Sequence, residues 1–365
     1  MPVFFIVLLV SYLLGNFYVF IRGLQALGQM PAFLKISVSI VFWVCSLLPF
    51  AFFLMRNTKS VPFSIGHFVY QFGTGWLIFA LYMVIFLALT DLFRVFNHSF
   101  SYGFVISLLL TVSLLIYGYI NYKHLDKQVF NIHINKPSDN GEKSLKIVAI
   151  SDWHLGLGST NKQINSIVEK INAEKPDIIL IAGDLIDNSV VPVIAQEMDK
   201  DLNRLEAKEG IYMSPGNHEY ISGIEACKRF IGKTKITLLM DSVVTLPCGL
   251  QIVGRDDRSN HRRMSAGDWK NLVRPSKPVI LLDHQPSHLE DAATIGADLQ
   301  VSGHTHHGQI IPITWLTDRM FDLSYGYEKR ENVHYYVSSG VSLWGPPFRI
   351  GTHSEILVFH VTFGN

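Results

Sequence analysis

The sequence predicts a chain of two parts, an N-terminal region of four transmembrane helices and a C-terminal α/β domain. Four long apolar runs lie within the first 124 residues and predict the membrane region. Beyond residue 146, strand-like and helix-like segments alternate, which is typical of an α/β domain. Polar clusters rich in Asp and His follow several of the predicted strands, and they mark the second part as the one that carries chemistry.

Composition narrows the class of protein. The chain has 365 residues, enough for about two domains. Hydrophobic residues make up 48% of it and the formal net charge is +1, so no basic face predicts nucleic-acid binding. The three cysteines, Cys45, Cys227 and Cys248, are too few for a disulfide framework or a cysteine-rich zinc module.

The apolar runs have the length of membrane spans, close to the ~20 residues that a helix needs to cross the hydrocarbon core. They are Val3–Ile21, Ile36–Leu54, Phe72–Thr90 and Gly103–Ile120. None contains Lys, Arg, Asp or Glu, and four such runs in series seldom fit as buried helices inside one soluble core. No basic residue precedes the first run, so a cleaved signal peptide is not predicted. Because the spans are uncharged, we expect an anchor rather than a transporter.

Charges near the spans predict the orientation. An even number of spans places both ends of the chain on one side, together with the loop between the second and third spans. Basic residues on that side are Arg56, Lys59, Lys123 and Lys127, whereas the opposite loops hold Arg22, Lys35 and Arg94. The excess of basic residues on that side is small, but it favours a protein of the bacterial inner membrane whose C-terminal part is cytoplasmic. Unpaired cysteines agree with a reducing compartment.

We assign residues 1–124 to the transmembrane region, 125–145 to a linker and 146–365 to the second domain. The linker assignment depends on the polar run Lys-Pro-Ser-Asp-Asn-Gly-Glu-Lys. In the second domain, helices are predicted at Asn161–Ala173, Val193–Leu205 and Ile224–Ile231. Strands are predicted at Leu145–Ile150, Ile178–Ala182, Ile211–Met213, Leu250–Val253, Val279–Leu282, Leu299–Val301, Val333–Val337 and Ile356–Val361. The pattern becomes richer in strands toward its end.

Five polar clusters follow predicted strands. They are Ser151-Asp152-Trp153-His154, Gly183-Asp184, Gly216-Asn217-His218-Glu219, Asp283-His284 and Ser302-Gly-His-Thr-His-His-Gly308. In open α/β sheets, ligands bind at the carboxyl ends of strands. Carboxylate and amide oxygens mixed with imidazole suit Mn, Fe or Zn, and a shared carboxylate can hold two such ions ~3.5–4 Å apart. Each cluster alone is weak evidence, but all five in order predict a two-metal site.

This order of clusters resembles the calcineurin-like metallophosphoesterase family, over about Lys146 to Val361. The resemblance implies a β-sandwich flanked by helices, two divalent metal ions (Mn, Fe or Zn) and hydrolysis of a phosphoester. It implies that Asp152, His154 and His306 bind the first metal, that Asn217, His284 and His304 bind the second, and that Asp184 bridges them. His218 would protonate the leaving oxygen or stabilise the phosphoryl charge. Two positions depart from the family pattern, Trp153 and His307.

The resemblance extends to the membrane-attached bacterial branch, which is related to the UDP-2,3-diacylglucosamine hydrolases of lipid A synthesis. It is carried by Gly-His-Thr-His-His-Gly-Gln at the last cluster and by Gly-Arg-Asp-Asp at residues 254–257. It implies a phosphodiester or diphosphate substrate, and the membrane anchor makes a lipid-linked one a reasonable option. Candidate substrate contacts are Arg255, Arg262 and Arg263, because guanidinium groups match phosphate oxygens, together with Asp257 of the Gly-Arg-Asp-Asp loop. An ordinary solvated basic loop is an equal alternative for this segment.

Other functions compete with a phosphodiesterase. The alternatives for the second domain are a phosphomonoesterase or phosphoprotein phosphatase, and a metal-bound interaction module without catalysis. His218 favours an enzyme, because binding alone needs no acid at that position. The sequence indicates association with a membrane, and it points to no obligate protein partner.

Overall fold

The computed structural model describes residues 2–55, 58 and 61–364. The chain forms two compact units. One contains the chain up to Asn121 together with Gly345–Phe348, and the other contains Tyr122–Trp344 and the chain from Arg349 onward. Arg56 and Lys59, which contribute to the predicted orientation, lie outside the described residues.

The first unit contains four long helices, as predicted. They are α1 (Pro2–Ala26), α2 (Ala32–Met55), α3 (Phe63–Phe96) and α4 (Gly103–Lys123). All four are long and apolar enough to cross a membrane. Polar side chains in this unit bond to one another: Asp91 accepts a 2.6 Å hydrogen bond from Tyr18 and pairs with Arg22, and the Trp76 indole donates to Asn16 at 3.0 Å. Such pairing lowers the cost of polar groups in a membrane region.

The second unit is built on twelve strands in two mixed sheets. The strands are β1 (Leu125–Ile134), β2 (Ser144–Ile150), β3 (Ile178–Ala182), β4 (Gly210–Ser214), β5 (Ile236–Leu238), β6 (Ser242–Thr245), β7 (Gln251–Gly254), β8 (Val279–Leu282), β9 (Leu299–Ser302), β10 (Gly326–Arg330), β11 (Val333–Val337) and β12 (Ser354–Phe363). The first sheet has the order β1-β12-β2-β3-β4-β5, and the second has the order β10-β11-β9-β8-β7-β6. Strands β2 to β5 run parallel, as do β7, β8, β9 and β11.

Helices and short turns cover the outer faces of the two sheets. The helices are α5 (Asn161–Ala173), α6 (Val190–Ala195), α7 (Met198–Leu202), α8 (Asn217–Ile221), α9 (Ile224–Ile231), α10 (Glu290–Ile295) and α11 (Ile313–Met320). Single 3-10 turns occur at Ala266–Asn271 and His306–Gly308. Helix α5 starts at its predicted residue because Thr160 and Gln163 form a capping box there.

Strand alternation produces three layers of apolar packing. In β2, Ile147 and Ala149 pack in the layer between the sheets, with Ile252 and Ile280 of the second sheet. Their neighbours Val148 and Ile150 face the helices on the first sheet's outer side. A third layer covers the outer face of the second sheet around Trp269. The predicted four-helix region followed by a β-sandwich flanked by helices is confirmed.

The linker predicted at residues 125–145 is wrong over its first half. Residues 125–134 form β1, which pairs in parallel with β12 from Leu125↔Ser354 to Ile134↔Phe363. The strand was missed because its polar residues suggested a linker, yet Phe130, Ile132 and Ile134 alternate with polar residues as a half-buried strand requires. The non-strand connection is confined to residues 135–143.

Several boundaries in the second unit also differ from prediction. The helix expected at Val193–Leu205 is divided into α6 and α7, because Glu197 adopts a left-handed conformation with φ of 50°. Four strands were not predicted: the long β1 and the short β5, β6 and β10. The described cysteines Cys45, Cys227 and Cys248 are free, in agreement with the sequence.

Candidate metal centre

The polar clusters lie at the carboxyl ends of neighbouring parallel strands, as predicted. Asp152 follows β2 and Asp184 follows β3, and these strands pair in parallel. In the second sheet, His284 follows β8 and His304 follows β9, which also pair in parallel. The same edge of the sandwich therefore collects ligands from both sheets.

The first group of candidate ligands is Asp152, His154 and His306, whose ligand atoms all lie within 4.8 Å of one another. The Nε2 atoms of His154 and His306 are 3.0 Å apart, and His306 Nε2 is 3.5 Å from Asp152 Oδ1. All three residues are buried. Two imidazole nitrogens that face each other next to a carboxylate are a suitable donor set for one divalent cation.

The second group is Asp184, His284 and His304, again with ligand atoms within 4.8 Å. His284 Nε2 is 3.0 Å from Asp184 Oδ2. Asn217 adds an amide oxygen, because its Oδ1 lies 2.9 Å from His304 Nδ1. All four residues predicted for the second metal are thus brought together.

Asp184 connects the two groups. Its Oδ2 is 3.0 Å from His284 Nε2 of the second group and 3.7 Å from His154 Nε2 of the first. Its other oxygen, Oδ1, accepts a 2.8 Å hydrogen bond from the backbone N–H of His218. This position agrees with the bridging role that the resemblance implies for Asp184.

The backbone at the site is held in a conformation that is costly for L-residues. Asp152, Asp184 and His304 have φ values of 54°, 53° and 73°. Glycines allow the chain to pass close to them: a Cβ on Gly216 would lie 2.2 Å from Asp184 Oδ1, and one on Gly303 would lie 2.2 Å from Asp152 Oδ2. The glycines in these motifs are therefore required for the approach of the backbone to the carboxylates.

Partners outside the two groups orient the imidazoles. His284 Nδ1 lies 2.8 Å from the carbonyl oxygen of Ala182, which directs Nε2 toward Asp184. His154 Nδ1 lies 3.3 Å from Asp187 Oδ1, which leaves Nε2 facing His306. Metal-binding histidines are commonly fixed in this way through their second nitrogen.

The sequence analysis missed Asp187. Its Oδ1 is 3.3 Å from Nδ1 of both His154 and His218, and its carbonyl oxygen is 3.1 Å from His218 Nδ1. Since both acceptors meet Nδ1, that atom carries the proton and His218 Nε2 remains for another partner. The signal that could have found Asp187 is its place three residues after Asp184, in the same loop.

Glu219 was quoted in its motif without a role. Its buried carboxylate accepts hydrogen bonds from the backbone N–H groups of Asp184, Ile186 and Gly216, at 3.0, 3.0 and 2.7 Å. Burial, reinforced by the nearby Asp184 carboxylate, raises the pKa of Glu219 to about 7. Glu219 therefore ties the loop after β3 to the loop after β4 and fixes Asp184.

The electrostatics of the pocket favour a cation. Burial lowers the pKa of His306 to about 3 and that of His304 to about 4, so both are neutral and can act as ligands. Burial opposes a charge on His154 as well, but Asp152 and Asp187 raise its pKa to about 10. A site that draws a proton onto one buried imidazole will also draw a metal ion, which displaces that proton.

The residues present fit two divalent metal ions. The donor set mixes carboxylate and amide oxygens with imidazole nitrogens, and the Nε2 atoms of His154 and His306 face each other 3.0 Å apart inside it. Together with the shared Asp184, these donors match a two-metal site.

The basic loop differs from the substrate clamp that the sequence suggested. Arg255 is buried, with Nη1 3.0 Å from Asp283 Oδ2 and 2.7 Å from Asp291 Oδ2. Arg263 Nη2 is 2.9 Å from the same Asp283 oxygen. These ion pairs engage both guanidinium groups and favour a structural role for Arg255 and Arg263, and their contact with substrate stays a prediction.

The other two candidate substrate residues are placed differently. Asp257 is buried and accepts a 2.9 Å hydrogen bond from Gln285, the residue after His284, so it lies near the second group. Arg262 is exposed on the same loop. Their contact with substrate stays a prediction.

The two departures from the family pattern are accommodated. Trp153 is buried in the apolar layer on the outer face of the first sheet, away from the ligand side chains. His307 is half-buried, because its ring stacks on Tyr325 with centroids 4.6 Å apart.

Comparison with known proteins agrees with this geometry. The calcineurin-like phosphoesterase family model matches residues 145–308. A metallophosphoesterase of Campylobacter jejuni is 30% identical over 380 residues, covering 98% of this chain and 97% of that protein. The chain belongs to the calcineurin-like metallophosphoesterase family. Family members use a dinuclear divalent metal centre, and the two ligand groups described above are its candidate positions here.

Two further relatives match part of their length. A Helicobacter pylori metallophosphoesterase is 36% identical over 224 residues, and the match covers 60% of this chain and 60% of that protein. A zebrafish protein described as a transmembrane protein with a metallophosphoesterase domain is 30% identical over 271 residues, covering 69% of this chain and 61% of the relative. The four apolar helices and such relatives together indicate a membrane protein.

Proposed function

We propose that this protein is a membrane-anchored, dinuclear metal-dependent phosphoesterase that hydrolyses a phosphodiester or diphosphate. The observation that carries the proposal is the position of Asp184, whose carboxylate reaches both ligand groups while accepting a hydrogen bond from the backbone of His218. A shared carboxylate with an imidazole at its side is the arrangement that two-metal phosphoryl transfer needs.

The first ion would be held by Asp152, His154 and His306, the second by Asn217, His284 and His304, and Asp184 would be shared. When bound, such ions polarise the phosphoryl oxygens and lower the pKa of water toward neutrality. The chain itself contributes rigid placement of the ligands, through Glu219 and the close-approach glycines. It also withdraws the site from bulk water, since Asp152, Asp184 and His284 are buried.

His218 is the proposed acid. Its Nδ1 proton is held by Asp187, so Nε2 is directed at the leaving oxygen, and the imidazolium form, which carries a second proton on Nε2, can donate that proton to it. In the reaction, water supplies the oxygen that bonds to phosphorus, the bond from phosphorus to the leaving oxygen breaks, and the leaving oxygen receives the proton. A positioned acid contributes typically 10²–10⁴-fold to the rate.

The four helices support a lipid-linked substrate, because an anchored site near the headgroups would meet such a substrate at a high effective concentration. The related lipid A hydrolases suggested by the motifs make a diphosphate such as UDP-diacylglucosamine the first substrate to try. The charge asymmetry around the spans supports a cytoplasmic position for the catalytic domain. Cleavage of that domain by protease added to the outside of intact spheroplasts would contradict this orientation.

The decisive experiment uses the full chain in detergent, freed of metal with a chelator and then reloaded with Mn. A generic phosphodiester, a phosphomonoester and UDP-diacylglucosamine are assayed side by side. We expect turnover only after reloading, with a diester or diphosphate preferred. Preference for the monoester would replace the proposed substrate class.

The same samples are analysed for bound metal. Two ions per chain with no turnover on any substrate would contradict catalysis and favour the interaction module. The Arg229→Ala variant is the control for the detergent samples, because Arg229 is exposed on α9 and is neither a candidate metal ligand nor a candidate substrate contact.

A further inference from the structure

We propose that Trp344 binds the leaving group of the substrate and that this leaving group carries an apolar body. The inference rests on the proposed phosphoesterase function, and it adds a specificity-determining residue and a substrate class to it. Trp344 lies outside the metal-ligand motifs and contributes no ligand atom to the groups described above.

Trp344 lies beside the proposed acid. Its ring centroid is 6.0 Å from that of His218, with an angle of 69° between the planes, and 52% of the residue is exposed. His218 donates its proton to the leaving oxygen, so the atoms attached to that oxygen must lie near His218. The indole is therefore next to the leaving group rather than next to the part of the substrate that stays on phosphorus.

The segment that carries Trp344 is fixed to the metal centre. Val341 N–H donates to the carbonyl oxygen of Ser151 at 2.9 Å, and Ser342 N–H donates to that of Asp152 at 3.3 Å. Asp152 is itself a candidate ligand. The distance from the indole to the reacting atoms is thus set by backbone hydrogen bonds, as a binding residue requires.

Arg349 also holds the segment that precedes Trp344. Its guanidinium is fully buried and donates to the carbonyl oxygens of Ser342 at 2.8 Å, Gly340 at 3.3 Å, and also Ser339. It donates as well to the carbonyl oxygen of the ligand His306, at 2.9 Å. The buried guanidinium of Arg349 therefore links the turn before Trp344 to the turn that carries His306.

The chemistry of the surface follows from the indole. It offers a broad apolar face and a single polar atom, and it carries no charge. A single exposed aromatic residue is common on protein surfaces. Trp344 differs in that its segment is held rigidly beside His218, the proposed acid. An apolar ring or chain on the leaving group would pack against the indole there and gain free energy from burial.

Trp315 provides a matched control. It is 63% exposed on α11 and, among the described residues, makes no ring contact with a candidate site residue. Loss of that indole tests what removal of an exposed tryptophan does in general.

The experiment uses the full, Mn-loaded chain in detergent and three methyl phosphodiesters whose second alcohol is benzyl, octyl or methyl. These alcohols have similar acidity, so the chemical step is comparable. For Trp344→Ala we expect the preference for the benzyl or octyl ester over the dimethyl ester, measured as the ratio of kcat/KM values, to fall about 10-fold. Trp344→Phe should keep most of the preference, and Trp315→Ala should keep all of it.

A larger fall for benzyl than for octyl identifies a flat ring as the leaving group, and the reverse identifies a chain. Binding gives a second readout: calorimetry should show benzyl phosphonate bound about 10-fold more weakly by Trp344→Ala, with methyl phosphonate much less affected. Equal ratios in Trp344→Ala and the unchanged protein would overturn the inference. Absence of turnover of every ester by the unchanged protein would instead overturn the proposed function.

Discussion

Asp184 and Asp283 are two buried carboxylates at strand ends, each 2% exposed, and the protein surrounds them differently. Asp283 faces guanidinium groups, with Arg255 at 3.0 Å and Arg263 at 2.9 Å. Asp184 faces imidazoles, with His284 at 3.0 Å and His154 at 3.7 Å. Arginine is always charged, whereas histidine can give up its proton. The charge of Asp283 is therefore neutralised by arginines of the chain itself, whereas the charge of Asp184 is available to bound metal ions.

The largest expected effect is the loss of Asp184. In Asp184→Ala both ligand groups lose the carboxylate that they share, so we expect less than two bound ions per chain and a rate reduced by more than about 10⁴-fold. Metal analysis after equilibration with Mn checks the first part, and the assay checks the second. Two ions still bound at unchanged affinity would remove Asp184 from the bridging position.

Loss of His218 should separate catalysis from metal binding. We expect His218→Ala to reduce kcat by about 10²–10⁴-fold while two metal ions stay bound, because the side chain meets Asp187 and contributes no atom to the two ligand groups that contain Asp184 or Asp152. The variant should also lose less rate on substrates whose leaving group is a good one and needs no proton. Equal losses on good and poor leaving groups would argue against the role as an acid.

The guanidinium cluster should respond in stability rather than in metal content. Arg255→Met leaves Asp283 with one cation fewer and Asp291 without its 2.7 Å partner, so we expect a loss of about 3–5 kcal/mol in the free energy of unfolding. The matched variant Arg262→Met, on the same loop but exposed, should change stability by less than about 0.5 kcal/mol. Thermal denaturation of the two variants in detergent compares them. A stable Arg255→Met with a raised KM would restore the substrate clamp.

The same comparison explains how far the sequence could lead. Strand ends followed by Asp, Asn and His were visible as motifs, and the parallel order of β2, β3 and β4 brings them together as expected. The ion pairs of Arg255 could not be predicted, because the sequence of a basic loop is the same whether its side chains point to solvent or to a buried carboxylate such as Asp283. Asp187 was missed since its partners come from other loops. Strand β1 was missed because a parallel partner more than 200 positions later along the chain gives no local signal beyond alternation.

Asp187 is a third buried carboxylate, and it extends the comparison between Asp184 and Asp283 to the smallest expected effect. It faces imidazoles, as Asp184 does, but it is not in the two ligand groups that Asp184 joins. Its hydrogen bonds and charge interactions with His154 and His218 hold its pKa below the ordinary range, against the effect of burial, so it is ionised at neutral pH. Asp187→Asn keeps the shape and the backbone carbonyl that meets His218 Nδ1, but removes the negative charge between the two rings. We expect a loss of about 10–100-fold, the usual effect of a partner that orients a ligand.

Measuring metal affinity and kcat separately shows where that loss falls. Weaker Mn binding with normal kcat at saturating metal would place the effect on His154, and a lower kcat with unchanged affinity would place it on His218. The control is Asp318→Asn, which removes a half-exposed carboxylate 3.5 Å from His307, outside the ligand groups. If Asp187→Asn behaves like that control in both measurements, the charge of Asp187 is not what orients the two imidazoles, and the backbone carbonyl alone suffices for His218.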